Sequence, residues 1–222
     1  MDYNKEFIKK IKNIGYGKYN IYNLFSDFLE CAAISIHNRF SFDQSLENVY
    51  MKHVEKYGKE NMITFYELLG LTTMGLNNID CDFLGSIYME LEISSKYSGQ
   101  FFTPYSICNL MAKLSVDDNC ENAIKENGYF TLQEPAVGSG ALVLATAQAM
   151  LEKGLNPQKQ LHATVTDLDK KLFYMVYIQL SLYGIPAIVY NGNTLSNEMY
   201  HCWKTPFHII GNWDYKLKIQ YP

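Results

Sequence analysis

No segment of the sequence offers the roughly eighteen uninterrupted apolar residues that a membrane-spanning helix needs. The N-terminus also lacks the apolar stretch of a signal peptide. The five cysteines are odd in number, far apart and never spaced as Cys-x-x-Cys, so neither a zinc site nor a disulfide framework is expected. The five histidines show no ligand spacing either, and we expect no metal. These absences predict a cytoplasmic protein.

Positive charge is also scarce. The chain carries 19 Lys and Arg against 23 Asp and Glu, a net charge of -4. Such a chain does not attract a nucleic-acid backbone at long range. The pattern of lysines between residues 5 and 12 predicts one solvated helix face. Contact with DNA would therefore need a local basic patch or a partner subunit.

Helical periodicity dominates the chain up to about Tyr97. Apolar residues recur at spacings of three and four between residues 21 and 36, which places them on one helix face. A second helix is predicted over 61–74, and a third begins near Asp82, a good N-cap. The sequence predicts an N-terminal helical domain over residues 1–97.

Short apolar runs alternate with helical stretches after about Gly128. The candidate strands are 129–132, 163–165, 187–190 and 207–210, and helices are predicted over 141–153 and 170–183. Strands alternating with helices imply right-handed crossovers and a parallel sheet. Residues 98–222 are thus predicted to form an α/β domain. Ligands of such sheets bind at the carboxyl ends of the strands.

A glycine turn follows the first predicted strand, in the stretch EPAVGSGAL. Pro135 stops the strand, and Gly138, Ser139 and Gly140 lead directly into an apolar helix. Small residues let a ligand lie against the backbone, and a helix N-terminus offers free N–H groups and a positive dipole end. The turn is not the full dinucleotide fingerprint, so it fits either a nucleotide-like ligand or an ordinary strand-to-helix connection.

Polar side chains stand at the ends of the next two strands. Asp167, in TVTDLD, is placed to accept hydrogen bonds from both hydroxyls of a ribose. It could instead cap the following helix, and the two roles can be split between Asp167 and Asp169. Asn193, in YNGNTL, can bind an adenine edge through its amide or belong to a Gly-Asn turn.

Two aromatic residues precede the α/β half, in SGQFFTPYSICNLMAKL. Thr103 and Pro104 form a helix start, a cap followed by a first-turn proline, for a helix over 105–114. Phe101 and Phe102 are either core residues or a cover over a flat or cationic ligand.

The stretches GQFFTP, EPAVGSGAL, TDLDKKLFYMVYIQLSLYGI and NGNTL, in that order, resemble the adenine-N6 DNA methyltransferases, especially the modification subunits of type I restriction systems. The resemblance runs from about Asp82 to Tyr215. It implies a Rossmann-like core, S-adenosylmethionine as cofactor and DNA as substrate. It also implies a partner, either a subunit of the restriction-modification type or a second copy of the chain.

The resemblance implies roles for individual residues. Glu134 would bind the ammonium group of the cofactor, Asp167 its ribose and Asn193 its adenine. The residues implied to contact the methionine part and the sulfonium are Phe101, Phe102, Thr103 and Pro104. Those implied to wrap the cofactor are Glu134, Pro135, Ala136, Gly138, Ser139 and Gly140, with Leu168 beside Asp167.

The catalytic motif of that family is Asn or Asp, then Pro-Pro, then Tyr or Phe, at the end of the fourth strand. The corresponding stretch here keeps Asn212 and Tyr215 but has Trp213 and Asp214 where the prolines would be. The resemblance implies that Asn212 accepts hydrogen bonds from the adenine amine and that Tyr215 stacks on the flipped base. Asp214 could serve as a substitute acceptor.

Loss of the prolines leaves the backbone carbonyl of this motif free to turn away from the amine. The chain also stops at Pro222, after four predicted strands where the family has seven. We therefore expect either weak or partner-dependent methylation of adenine in DNA, or a catalytically inactive module that keeps the cofactor and acts as a regulator, an anti-restriction factor or an assembly subunit. A shared fold with an unrelated function is the third alternative.

Overall fold

The computed structural model describes residues 2–15, 17–77, 82–91 and 102–220, and it describes residues 219 and 220 without their side chains. The chain forms two compact units, Met1–Phe102 and Thr103–Pro222. The predicted domain boundary at 97/98 lies outside the described residues and stays a prediction. Within the described ranges, none of the helices combines the length and the apolar character that crossing a membrane requires.

The first unit is helical. Its helices are α1 (Tyr3–Asn13), α2 (Ile21–Phe40), α3 (Gln44–Leu76) and α4 (Phe83–Glu90). Each begins after an N-cap residue whose side chain accepts a hydrogen bond from a backbone N–H of the first turn. The four N-cap residues are Asp2, Asn20, Asp43 and Asp82. The predictions of a helix over 21–36 and of Asp82 as an N-cap are therefore confirmed.

The helix predicted over 61–74 is the second part of α3, which is interrupted at Gly58 with φ of 76°. Aromatic rings form the centre of this unit. Phe7 meets Phe25, Phe28 and Phe83 edge to face, with centroids 6.3, 5.4 and 5.8 Å apart. These four rings are at most 3% exposed. Burial of each contributes about 1.5–3 kcal/mol, so this cluster joins α1, α2 and α4.

The second unit is α/β. It contains α5 (Tyr105–Ser115), α6 (Asp118–Asn127), β1 (Phe130–Glu134), α7 (Ala141–Glu152), α8 (Pro157–Gln160), β2 (Leu161–Asp167), α9 (Lys170–Tyr183), β3 (Ala187–Asn193), β4 (Glu198–Lys204), α10 (Pro206–Ile210) and α11 (Trp213–Gln220). The described strands form one sheet in the order β1-β2-β3-β4. The first three strands are parallel and β4 is antiparallel to β3.

Two apolar helices make the crossovers between the parallel strands. Helix α7 joins β1 to β2, and α9 joins β2 to β3. On α9, Phe173, Tyr174 and Tyr177 pack around Trp203 of β4, with ring centroids 5.1 to 5.6 Å apart. Three parallel strands joined by helices make this unit Rossmann-like, as the family resemblance implied.

The prediction of a strand over 207–210 is wrong, because these residues form helix α10. The edge of β3 is instead paired with β4, which folds back directly through a turn containing Asn197 in the left-handed region, φ 57°. Thr205 ends β4, since its hydroxyl donates to Ile185 O and accepts from Ala187 N, both at 2.8 Å. Pro206 follows, and its missing N–H and fixed φ favour the first turn of a helix. The sheet is accordingly mixed.

The predicted cap of α5 is also wrong. Helix α5 begins at Tyr105 with Pro104 in the N-cap position, and no side chain caps it. The carbonyl of Thr103 instead accepts a weak hydrogen bond from the Cys108 thiol, at 3.8 Å. Since Pro104 cannot adopt the cap role that a hydroxyl side chain fills, the helix starts without the stabilisation that the sequence suggested.

Candidate functional site

The carboxyl ends of β1, β2 and β3 bring three of the predicted polar residues to one edge of the sheet. Glu134, Asp167 and Asn193 are the last residues of these strands. In the register, Glu134 lies opposite Val165, and Asp167 lies opposite Asn191. We call this region the carboxyl edge and define it as residues 134–140, 167–168 and 193.

The glycine turn of the carboxyl edge is fastened to the end of β2. Val137 donates its N–H to Thr166 O at 3.0 Å, and Gly138 donates its N–H to Asp167 Oδ2 at 2.9 Å. Gly138 and Gly140 have φ of 59° and 99°, in the region that favours glycine. The turn then opens into α7, whose N-cap Gly140 supplies no side-chain capping group.

Asp167 links the turn to its own strand end. Its Oδ1 accepts the N–H of Asp169 at 2.9 Å, and its Oδ2 accepts that of Gly138. A carboxylate oxygen can accept two hydrogen bonds, so each keeps capacity for a further donor. Burial raises the pKa of Asp167, although the backbone N–H groups of Asp169, Gly138 and Leu168 act in the opposite direction. Asp169 is the residue that caps α9, accepting from Lys171 N at 2.8 Å.

The end of β3 holds the other two strand ends in place. Asn191 donates its amide to Asp167 O at 3.0 Å and to Leu168 O at 2.9 Å. Thr194 donates its hydroxyl to Pro135 O at 2.7 Å. Asn193 Oδ1 accepts from Leu195 N and from Ser196 N, at 3.0 and 3.3 Å. Asn193 thus belongs to a turn, one of its two predicted roles, and its amide nitrogen is the group available for a ligand.

Two further features of the carboxyl edge bear on binding. Glu134 is partly exposed and accepts Ala136 N at 3.2 Å through Oε1, which shapes the start of the turn. Leu168 follows Asp167 directly and is 61% exposed. An exposed leucine beside a carboxylate offers an apolar surface to a flat ring whose polar groups face the carboxylate.

The aromatic segment before α5 divides between the two units. Phe102 belongs to the helical unit, where its ring packs against Tyr88 with centroids 5.2 Å apart. Thr103 and Pro104 are exposed at the start of α5. Phe101 lies outside the described residues. The predicted role of this segment against the cofactor stays a prediction.

The predicted catalytic residues lie at the opposite edge of the sheet. Trp213 is fully buried against Tyr129, which precedes β1, and His162, near the start of β2, with ring centroids 5.1 Å from each. His162 and Asp167 are five residues apart in one strand, about 16 Å at the rise of a β-strand. The structure therefore does not bring Asn212, Asp214 and Tyr215 to the carboxyl edge.

Each of these three residues has a local environment of its own. Asn212 is exposed with φ of 51°, and Tyr215 is 62% exposed. Asp214 accepts two hydrogen bonds from Lys204 Nζ at 2.7 and 2.8 Å. The Lys204 ammonium is the first cause that holds the pKa of Asp214 below its usual range. The assignment of these residues as catalytic stays a prediction, and its structural premise, a strand over 207–210, is wrong.

Sequence reasoning missed a buried histidine pair beside the amino ends of β1 and β2, in a region that we call the amino edge and define as residues 129, 162, 208 and 212–215. His162 Nε2 lies 3.0 Å from His208 Nδ1, and His208 Nε2 lies 3.2 Å from Asp214 Oδ1. No signal in the sequence joins positions so far apart. It also missed Asn191, Thr194 and the buried Gln179, whose amide donates to Ser139 O. Among the residues that the structure describes, no group of His, Cys, Asp and Glu could hold a metal ion.

Comparison with known proteins assigns the family. A model of the N-6 DNA methylase family matches residues 79–220, more than half of the chain. The chain belongs to the N-6 DNA methylase family. A search of curated proteins found no match.

Among solved structures, the chain is similar to the methyltransferase subunit of a type I restriction-modification system from Streptococcus thermophilus, with 20% identity and a TM-score of 0.46. It covers 86% of this chain and 40% of that one. A second similar structure is assigned as a class I S-adenosylmethionine-dependent methyltransferase from Listeria monocytogenes, with 15% identity and a TM-score of 0.43 over 88% of this chain and 55% of that one. The chain thus spans about half, or less, of the length of these two structures.

Proposed function

We propose that this chain binds S-adenosylmethionine at the carboxyl edge. The observation that carries the proposal is the hydrogen bond from Gly138 N to Asp167 Oδ2, at 2.9 Å. It joins a small-residue turn, a helix N-terminus and an acidic strand end into one surface. A nucleoside with a charged amino-acid tail needs these three elements, and membership of the N-6 DNA methylase family supports this choice of ligand.

The residues present fit the cofactor by their chemistry. The carboxylate of Asp167 has capacity left on both oxygens for ribose hydroxyls. Glu134 would pair with the ammonium group, and the amide nitrogen of Asn193 would donate to the adenine. Leu168, 61% exposed, would cover one face of the adenine. The remaining wall would be the turn Pro135, Ala136, Gly138, Ser139 and Gly140.

When bound, S-adenosylmethionine supplies a methyl group on a positively charged sulfur. By family, the proposed acceptor is the N6 amine of adenine in DNA. A base at the carboxyl edge would be far from Asn212, because that residue lies beside the amino ends of β1 and β2. We therefore propose that the chain alone binds the cofactor and transfers methyl groups to DNA very slowly or not at all.

A partner would supply the electrostatic attraction to DNA that this acidic chain lacks. The net charge of -4 gives no long-range attraction to a phosphate backbone. We propose that DNA reaches the carboxyl edge only in an assembly with another subunit or a second copy of the chain. A cofactor-binding module without catalysis is the second candidate, and the location of Asn212, Asp214 and Tyr215 at the amino edge favours it.

Calorimetry with S-adenosylmethionine tests binding, and transfer of a radiolabelled methyl group to mixed DNA tests activity. We expect binding without appreciable transfer, and the same transfer rate for Asn212→Ala as for the unaltered chain. Absence of binding would overturn the cofactor proposal. Robust adenine methylation that Asn212→Ala abolishes would instead establish Asn212 as catalytic.

A further inference from the structure

The buried amide of Gln179 holds the glycine turn from beneath. Gln179 lies on α9 and is 0% exposed, and its Nε2 donates to Ser139 O at 2.7 Å. Ser139 is itself only 2% exposed. A carbonyl cannot donate, so the nitrogen of the Gln179 amide is the atom that faces Ser139.

The surroundings of Gln179 make this bond costly to lose. Its neighbours on α9 include Val176 and Ile178, both fully buried, and a buried amide without partners is unfavourable. The bond spans 40 residues of sequence, from a crossover helix to the turn after β1. The buried amide of Gln179 therefore donates to the turn that we assign to the cofactor.

The bond fixes one peptide plane of the turn. The carbonyl of Ser139 is directed to Gln179, and the N–H of the same peptide, from Gly140, donates to Val137 O at 3.0 Å. A Cβ on Gly140 would lie 2.9 Å from Val176 Cγ2, so α9 also limits how far this residue can move. With Gly138 N held by Asp167, the turn is fixed at two of its peptides, 137–138 and 139–140, before any ligand arrives.

We propose that Gln179 is a positioning residue for the cofactor turn, which it holds in its binding shape through Ser139. This inference rests on the proposed function. Preorganisation of this kind reduces the ordering cost of binding, so loss of the amide should weaken affinity without removing any contact to the ligand itself.

The test uses Gln179→Met, which keeps the length of the side chain and removes the donor. The matched control is Tyr183→Phe, one turn along α9, which removes a hydrogen bond to Gln148 Oε1 of 3.2 Å between α9 and α7. Two quantities are measured in the whole chain: the Kd for S-adenosylhomocysteine and the amide hydrogen exchange of peptides covering 136–142 without ligand.

We expect Gln179→Met to raise the Kd at least tenfold and to speed exchange in the turn, while Tyr183→Phe changes neither. Unchanged exchange in the turn of Gln179→Met would overturn the inference. If the unaltered chain does not bind the cofactor analogue, the proposed function fails, and the exchange measurement still decides the role of Gln179.

A second variant, Gln179→Glu, keeps the inference testable if Gln179→Met does not fold. Burial raises the pKa of a carboxyl, so this side chain keeps its proton at pH 6 and can donate O–H to Ser139 O. We expect the protection of the turn at pH 6 to match that of the unaltered chain. Loss of protection in Gln179→Glu at pH 6 would contradict the assigned hydrogen bond.

Discussion

His162 and His208 share a hydrogen bond of 3.0 Å in the interior of the α/β unit, 46 residues apart in the chain. Asp214 and Lys204 extend this pair towards the surface, through bonds of 3.2 and 2.7 Å. If His208 donates from Nε2 to Asp214, its Nδ1 is the acceptor for His162. Both rings are then neutral, and the pair joins β2 to α10 and α11.

Acid should destabilise the unit through this pair. Burial first, and then His208, lowers the pKa of His162 to about 3, against about 6.5 in an unfolded chain. Between those values the unfolded state binds more protons, so stability falls as pH falls. The loss from His162 approaches about 1.4 kcal/mol per pH unit below 6.5.

Urea unfolding between pH 8 and pH 5 measures this effect, with His162→Gln as the comparison. We expect the unaltered chain to lose stability faster than the variant as pH falls. Parallel profiles for the two proteins would mean that His162 is not buried in its neutral form.

Gly138→Asp should abolish binding of S-adenosylmethionine while the protein stays folded. The new carboxylate would occupy part of the space proposed for the cofactor. It would also repel the carboxylate of Asp167, which is proposed to bind the ribose. The control is Gly154→Asp. Gly154, like Gly138, has a positive φ, here 74°, and a Cβ on Gly154 would meet no atom within 4 Å. Titration calorimetry and circular dichroism of both variants are the measurements, and equal affinities in the two would remove the turn from the site.

Asp167→Asn should weaken cofactor binding about tenfold or more. One carboxylate oxygen becomes an N–H₂ group that faces the donor of Gly138 or Asp169, so the turn loses an acceptor at a cost of about 1–3 kcal/mol in unfolding free energy. Asp169→Asn is the control, because asparagine is also a good N-cap and α9 should keep its start. Binding and urea unfolding of the pair distinguish the two neighbouring acids.

Trp213→Ala should destabilise the chain by about 3–5 kcal/mol, since the ring is fully buried against Tyr129 and His162. Tyr215→Ala removes a ring that is 62% exposed and should change stability by less than about 1 kcal/mol. Equilibrium denaturation of the two variants measures these changes in the free energy of unfolding. Equal, small losses would show that Trp213 is not a core residue.

Duplex DNA should bind weakly to the chain alone, with Kd of roughly 10⁻⁴ to 10⁻⁶ M and a strong dependence on salt. Fluorescence anisotropy at two salt concentrations measures this. A sequence-specific nanomolar complex at physiological salt would show that the chain carries a DNA-recognition surface of its own.

The sequence predicts most of the local structure, because local signals determine it. Asp82 locates the start of α4, and the apolar spacing of residues 21–36 locates α2. Pro135 follows the last residue of β1, because a residue without an N–H cannot donate a hydrogen bond within the sheet. The site residues at the strand ends follow from the rule that parallel strands end at one edge. Asp167, Glu134 and Asn193 meet there for that reason.

The errors have a different physical origin. Residues 207–210 are apolar enough for a strand, but the edge of β3 is already occupied by β4, and Pro206 starts a helix. Which segment pairs with the edge of β3 depends on the tertiary structure. The four residues 207–210 alone therefore contain no pattern that predicts it. The His162–His208 pair and the Gln179–Ser139 bond are invisible for the same reason, since only the fold brings them together.

The spatial order of the strands, β1-β2-β3-β4, is also their order of synthesis. Each strand can therefore pair with the one made just before it, as the chain leaves the ribosome, without waiting for a distant segment. Trp213, by contrast, must return to Tyr129 and His162 at the beginning of the sheet. We expect the strands to assemble early and in sequence, and α10 and α11 to dock on the sheet after the strands have paired.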